Sequence, residues 1–287
     1  MERFSAPQTI DEAVALLAAQ PESFALGGGT DLLVQMRSGA KNPRTIVDLK
    51  RIAGMQGVEI TAAGARIGAA TSCHALGLNA GLAYIWPGLM EAATLIGSKQ
   101  VQGRASLGGN LCNASPAADS VPVLVANRAT VRIAGPDGTR SVAVESFCTG
   151  PGQTVLEPGE FVLAFSIPRP AARTADAYLR FIPRSEMDIA VVGAAVSLTL
   201  DGSGCCVAAR IALGAVAPTV LLVPEAAAAL LGSRLEEEAL DACVAAVRAA
   251  ARPITDRRGT ADFRRHVAGV LVRRALDIAA RRVAAQT

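Results

Sequence analysis

In the opening stretch IDEAVALLAAQP, the apolar residues Ile10, Val14, Leu17 and Ala18 recur at helical spacing, and Pro21 stops the run. The short apolar SFAL follows, then Gly27, Gly28 and Gly29, then TDLLVQMRSG, which reads as strand, glycine loop and helix. Asn42-Pro43 marks a turn and RTIVDL (44–49) a second strand. These elements predict a small α/β lobe of about fifty residues, the size of one subdomain. From Val58 the pattern alternates, and VEITAAGARIGAATS with Gly64 predicts a hairpin feeding a second sheet. A helix is expected over Leu89 to Ile96, behind Trp86-Pro87. Ser115 followed by Pro116 predicts an N-cap with proline at the first helical position, opening a helix that runs through Val125. ATVRIAGPDGTRSVAV alternates about a Pro-Asp-Gly turn, a hairpin, and EFVLAFSIPRP is a further strand.

Pro168, Pro170 and AARTAD interrupt the pattern, which divides the chain into 1–174, with lobes of about 1–55 and 56–174, and 175–287. Beyond the break the alternation predicts strands at about 177–182, 190–200 and 205–216, with Asp201-Gly202 as a turn. Three helical segments follow at 224–231, 235–250 and 260–285. In the last, Phe263, Val267, Val270, Leu271 and Ile278 are expected to share a face. Strands followed by helices imply an α+β unit, a small antiparallel sheet covered by helices.

Composition narrows the function classes. The chain has 287 residues, 51% hydrophobic and 18% charged, which excludes general disorder. Its net charge of +3 and 3% aromatic content supply neither the basic face nor the stacking surface of a nucleic-acid binder. No stretch approaches the roughly 20 apolar residues of a membrane span. MERFSAPQTIDEAVALL lacks the apolar core of a secretory signal, so a cytoplasmic protein is expected. The six cysteines include no C-x-x-C pair, and no metal site is expected. The lysines are Lys41, Lys50 and Lys99 and every other basic residue is arginine, a bias that reads as coding preference. With His74 and His266 as the sole histidines, acid–base chemistry has few carriers.

Two segments carry candidate chemistry. In Leu26-Gly27-Gly28-Gly29-Thr30-Asp31, glycines between a strand and a helix leave backbone N–H groups free to meet an anion, as a pyrophosphate requires. The same residues also fit a plain tight turn, and the pattern is neither a P-loop nor a dinucleotide fingerprint. In Ala105-Ser106-Leu107-Gly108-Gly109-Asn110, two glycines again permit close backbone approach. Ser106, Asn110 and Asn113 add uncharged hydrogen-bonding groups, and Ser115 and Asp119 follow. Asp119 fits either stabilisation of a helix end or acceptance of hydrogen bonds from ribose or adenine. The remaining candidates take their ordinary reading. His74 has no acidic or nucleophilic partner nearby in sequence, and Cys112 has no second thiol for a redox pair. Arg257-Arg258 and Arg264-Arg265 read as a solvated charged face.

Two glycine loops on separate lobes imply a dinucleotide held between lobes. ALGGGTDLL followed by ASLGGNLCNASPAAD resembles the FAD-binding medium subunit of the molybdenum hydroxylases, a group that includes xanthine and carbon monoxide dehydrogenases. The resemblance continues through GPGQTVLEPGEF, RSEMDIAVVGAAV and RIALGAVAPT. It implies a two-lobed FAD-binding domain, with Gly27 to Asp31 and Ser106 to Asn110 around the FAD pyrophosphate. It places Ser115 and Asp119 near the ADP portion and Ile96 beside the flavin nucleotide. It makes Arg180 a basic neighbour, and sets Ile189 where a side chain covers the isoalloxazine ring. It further implies a large molybdopterin subunit and a small subunit with two 2Fe–2S clusters as partners, in a dimer of heterotrimers. FAD on this chain would pass electrons to NAD, oxygen or a quinone-type acceptor, and no residue of the chain itself would be catalytic. The competing readings are a self-contained flavin oxidase or dehydrogenase of the same superfamily and a scaffold subunit with a vestigial fold. The residues after 174 are few for a substrate cap, and both glycine loops read intact.

Overall fold

The computed structural model describes residues 3–286; Met1 and Glu2, which open the stretch judged not to be a secretory signal, lie outside it. The first lobe runs β1 (Arg3–Ser5), α1 (Ile10–Ala18), β2 (Ser23–Leu26), α2 (Leu32–Arg37) and β3 (Thr45–Asp48). β1 and β2 both pair parallel to β3, in the order β1-β3-β2. α1 starts where a capping box allows it. Thr9 Oγ1 accepts from Glu12 N–H and the Glu12 carboxylate accepts from Thr9 N–H.

The middle of the chain begins with β4 (Val58–Thr61) and β5 (Gly64–Gly68). Short helices follow: α3 (Cys73–Gly77), α4 (Ala80–Ile85), α5 (Pro87–Leu95), α6 (Lys99–Gln102), α7 (Leu107–Cys112) and α8 (Ser120–Ala126). Then come β6 (Thr130–Gly135), β7 (Gly138–Ala143), the small pair β8 (Cys148–Gly150) and β9 (Gln153–Thr154), and β10 (Phe161–Pro168). A five-stranded antiparallel sheet results, in the order β4-β5-β10-β6-β7. Gly64 is required at the β4–β5 turn: its φ is +146°, and a Cβ there would lie 2.1 Å from Ile167 O.

The remaining elements are β11 (Thr174–Phe181), β12 (Val192–Leu200), β13 (Cys206–Gly214) and β14 (Leu221–Leu222), then α9 (Pro224–Ala228), α10 (Glu237–Ala250) and α11 (Ala261–Ala284). The strands form an antiparallel sheet in chain order, as the α+β expectation requires. Both faces of this sheet are covered. Alternation along the strands turns Ala175, Ala177, Val196 and Leu198 into a core under α10 and α11. Tyr178, Ala195 and Ala212 instead enter the core of the first two lobes, against α5 and α8.

Three sequence expectations fail. The helix expected from Ser115 begins at Ser120, with Asp119 at its N-cap position. Ser115 Oγ accepts from Ala117 N–H at 3.3 Å and its carbonyl from Ala118 N–H at 3.0 Å, which closes a turn. Pro122 explains the shift. In a helix begun at Pro116 its missing N–H would fall mid-helix, whereas in α8 it falls in the first turn, where that N–H has no intrahelical acceptor. The face of α11 is also displaced. Phe263 is 41% exposed and stacks edge-on with Phe181, while the buried stripe runs through Val267, Ala268, Leu271, Val272, Ala275, Leu276, Ala279 and Val283. Arg264 is not solvated but 4% exposed. It donates to Val191 O at 2.7 Å, Ala215 O at 3.3 Å and Asp256 Oδ1 at 2.7 Å.

Candidate functional site

The two glycine loops meet. Leu26, Gly27, Gly28, Gly29, Thr30 and Asp31 line one cleft of about 120 Å³ together with Ser106, Gly109, Cys112 and Asn113. What each glycine permits differs. A Cβ on Gly28 would fall 1.8 Å from Arg104 O, so the loops interlock there backbone to backbone. Gly108 meets Ala69 O at 2.5 Å in the same way, and Gly29 has φ +82°. Gly27 and Gly109 are free of such demands. The nearest atom to a Cβ on either is Ser106 Oγ, at 3.6 Å and 3.4 Å respectively. These two glycines therefore present bare backbone to the cleft on either side of one hydroxyl. A diphosphate bridge fits that cradle, because its oxygens need close N–H groups and no intervening side chain. α2 and α7 have only six residues each, and the N–H groups of Gly108, Gly109 and Asn110 already bond to Ala69 O, Ser106 Oγ and Ser106 O, so the second loop offers the cleft its bare backbone face and the Ser106 hydroxyl.

The uncharged groups singled out in the sequence hold this arrangement. Ser106 Oγ accepts from Gly109 N–H at 3.1 Å, capping α7. Asn110 Oδ1 accepts from Ser120 N–H at 3.1 Å and from its hydroxyl at 2.7 Å, capping α8 from a neighbouring helix. Asn113 Oδ1 accepts from Gln35 Nε2 at 2.9 Å, joining α7 to α2. Ala105 and Gly108 are buried.

Other predicted residues line two further clefts. Ser115 and Ile189 share one of about 300 Å³ with Pro116, Pro151, Ala215 and Arg258, and Ile189 is 51% exposed. Arg180 lines one of about 420 Å³ with Gly97, Ser98, Lys99, His74 and Glu186. Ile96, half-buried, ends α5 immediately before Gly97. Asp119 opens into none of these clefts. Its Oδ1 accepts from the Tyr178 hydroxyl at 2.9 Å and its Oδ2 from Arg180 Nη1 at 2.7 Å. Burial raises its carboxyl above the usual range, opposed by Arg180 and the two hydrogen bonds. Burial and the Asp119 charge likewise push the Tyr178 phenol well above 10. Arg180 Nε is buried with no acceptor among the described residues.

Sequence reasoning missed the lysines. Lys50 Nζ donates to Gly27 O at 2.9 Å and to Asp48 Oδ1 at 2.6 Å, which fixes the first loop. Lys41 lines the glycine cleft and Lys99 the cleft beside Ile96. Their rarity was the available signal: three lysines among 28 basic residues, all at the site. Among the described residues no group of three or more His, Cys, Asp or Glu could hold a metal ion.

Residues 1–170 match the family described as the FAD binding domain in molybdopterin dehydrogenase, and residues 177–279 the CO dehydrogenase flavoprotein C-terminal domain. The chain belongs to the FAD-binding flavoprotein subunits of the molybdopterin dehydrogenases, as its sequence motifs imply, and its cofactor is FAD. Within that class it is 37% identical to the carbon monoxide dehydrogenase medium chain of Afipia carboxidovorans, over 94% of each chain. It is 32% identical to the xanthine dehydrogenase FAD-binding subunit of Escherichia coli O157:H7, over 94% of this chain and 92% of that one. A solved structure of reconstituted CO dehydrogenase from Oligotropha carboxidovorans superposes with a TM-score of 0.94 at 35% identity, covering 98% of both chains.

Proposed function

We propose that this chain is the electron-transfer subunit of a molybdenum hydroxylase, receiving electrons from iron–sulfur clusters on a small partner subunit and delivering them to NAD, oxygen or a quinone-type acceptor. A large molybdopterin subunit would carry the substrate chemistry, in a dimer of heterotrimers. The carrying observation is the pair of bare glycines, Gly27 and Gly109, facing one cleft across the Ser106 hydroxyl. FAD, when bound, supplies a ring that accepts and releases one or two electrons. The chain's own residues bind and orient it. Gly27–Asp31 and Ser106–Asn110 receive the diphosphate, and Lys50 holds the first loop in place. Ser115 meets the ADP portion, Asp119 holds Arg180 beside the cofactor, Ile96 stands beside the flavin nucleotide, and Ile189 covers the ring. No acid–base pair is required of this chain, in keeping with two exposed histidines: His74 at a cleft wall and His266 on α11. Six cysteines without disulfides support a reducing compartment, the cytoplasm. No helix among the described residues is long and apolar enough to cross a membrane.

The test is to co-purify the chain with its partners, reduce the complex through its hydroxylation substrate, and follow flavin bleaching and its recovery with each acceptor. Bleaching that requires the iron–sulfur subunit supports the proposal. A chain that reduces its flavin directly with a small substrate, without partners, supports the self-contained oxidase instead.

A further inference from the structure

The segment from Gly88 to Asp119 carries one side of the FAD site: Ile96, the second glycine loop, Asn113, Ser115 and Asp119. Both of its ends are tied to one strand of the C-terminal domain. Along β11, Asp176, Tyr178 and Arg180 alternate with Ala175, Ala177 and Leu179, and the period of two turns the three polar side chains toward the FAD-binding domain.

At the start of the segment, in the first turn of α5, Asp176 Oδ1 accepts from Gly88 N–H at 2.8 Å and Oδ2 from Leu89 N–H at 3.2 Å, the latter shared with Trp86 O at 3.1 Å. Oδ2 also accepts from Asn127 Nδ2 at 2.8 Å, and Asp176 is 2% exposed. Gly88 leaves no slack: a Cβ there would stand 2.8 Å from Ala177 N and 2.9 Å from Asp176 Cγ. Glu91, on the same helix, returns the contact. It accepts from Tyr178 N–H at 2.9 Å and pairs with Arg282 of α11, whose Nη1 also donates to Asp176 O at 2.7 Å. At the far end of the segment, Tyr178 and Arg180 hold Asp119.

Between the two ends the linkage is continuous. The buried Gln102 donates through Nε2 to Thr94 O at 2.6 Å, joining the last turn of α5 to α6. Two residues on, Arg104 O is the atom against which Gly28 of the first loop is packed. A shift of α5 along its axis therefore moves Ile96 and the second loop against the first.

We propose that Asp176 is a positioning residue for the cofactor: by holding the first turn of α5 from across the domain boundary, it sets the register between the two loops that grip FAD. Asp176 lines none of the three clefts, so it acts through α5 and not by contact. The proposal rests on the FAD reading of those clefts.

The experiment uses the full chain, titrated with FAD by quenching of flavin fluorescence at a temperature where every variant is folded. Visible circular dichroism of the bound flavin is recorded alongside. Asp176→Asn places an amide donor among N–H donors. It is expected to raise the FAD Kd about tenfold or more and to change the dichroism. Val247→Ala, in α10 and in the core on the opposite face of the sheet from Asp176, serves as a stability control that should leave both readouts at wild-type values. An unchanged Kd and dichroism in Asp176→Asn, or a change no greater than that of Val247→Ala at equal loss of Tm, overturns the proposal. If Asp176→Asn does not fold, Glu91→Gln decides the matter. A smaller rise in Kd is expected there, and none contradicts the proposal. Failure of the wild-type chain to bind FAD would instead overturn the reading of the site, and the wild-type titration alone reveals that.

Discussion

Asp119 and Arg180, one from each domain, form an ion pair at 2.7 Å whose side chains are almost entirely removed from water. Removing one partner of such a pair leaves a buried charge uncompensated and costs about 3–5 kcal/mol. Arg180→Met should lower unfolding stability by that order, because Tyr178 alone then faces Asp119. The double variant Arg180→Met with Asp119→Asn should recover part of the loss. Urea denaturation of the four members of the cycle checks this, and strictly additive losses would show the pair to be uncoupled.

The two loops should separate packing from cofactor contact. Gly109→Ala displaces no atom of the chain, since its nearest neighbour lies at 3.4 Å. It should keep the wild-type Tm and weaken FAD binding by about tenfold or more. Gly28→Ala drives a Cβ into Arg104 O and should cost stability, about 1–3 kcal/mol as overpacking does. Thermal melts beside FAD titrations give the contrast. A Gly109→Ala chain with wild-type FAD affinity would remove the cofactor from that glycine.

Arg264 was hidden in the sequence because Arg264-Arg265 reads as one charged patch, yet adjacent helical positions point some 100° apart. Arg264→Met leaves two buried carbonyls without this donor and removes one partner of Asp256, which keeps Arg258 N–H at 2.8 Å, and should destabilise by about 1–3 kcal/mol. Arg265→Ala loses an exposed pair with Asp262 and should change stability by about 0.5 kcal/mol or less. Denaturation midpoints of the two variants provide the comparison.

Asp176 also makes a pH prediction. Burial lifts its carboxyl to about 6, against hydrogen bonds from Gly88 and Asn127 and the charge of Arg282 on α11, with Glu91 on α5 adding to the rise. A carboxyl raised above its unfolded value of 3.8 binds its proton more tightly in the folded chain. Its contribution to stability is thus largest below about pH 4 and declines as pH rises toward about 6. Subtracting the Asp176→Asn stability profile from that of the wild type should isolate this slope, and a flat difference across the window would contradict it.

The fold was legible where periodicity and turn chemistry agreed. SFAL, RTIVDL, the Pro-Asp-Gly hairpin and the strands around Asp201-Gly202 each carry a local signal strong enough to set their own boundaries. The start of α8 was not, because Ser115-Pro116 is a good cap in isolation and Pro122 counts against it only once the whole helix is considered. At the site, the glycines announced both loops. What joins the loops was not readable, since Lys50 to Gly27, Gln102 to Thr94 and Asp176 to Gly88 are contacts between segments with no shared spacing. Tyr178 and Arg180 lie two residues apart, yet only the pairing of β11 beside α5 and α8 shows that both face Asp119.

The central claim, that this chain holds FAD without a covalent bond between Gly27–Asp31 and Ser106–Asn110, is tested most directly by the visible spectrum of the purified chain before and after denaturation. A flavin spectrum at stoichiometric occupancy is expected, with all of the flavin released as FAD into the supernatant of the denatured protein. A colourless chain that takes up no added FAD, or a flavin that stays with the precipitated polypeptide, would contradict it.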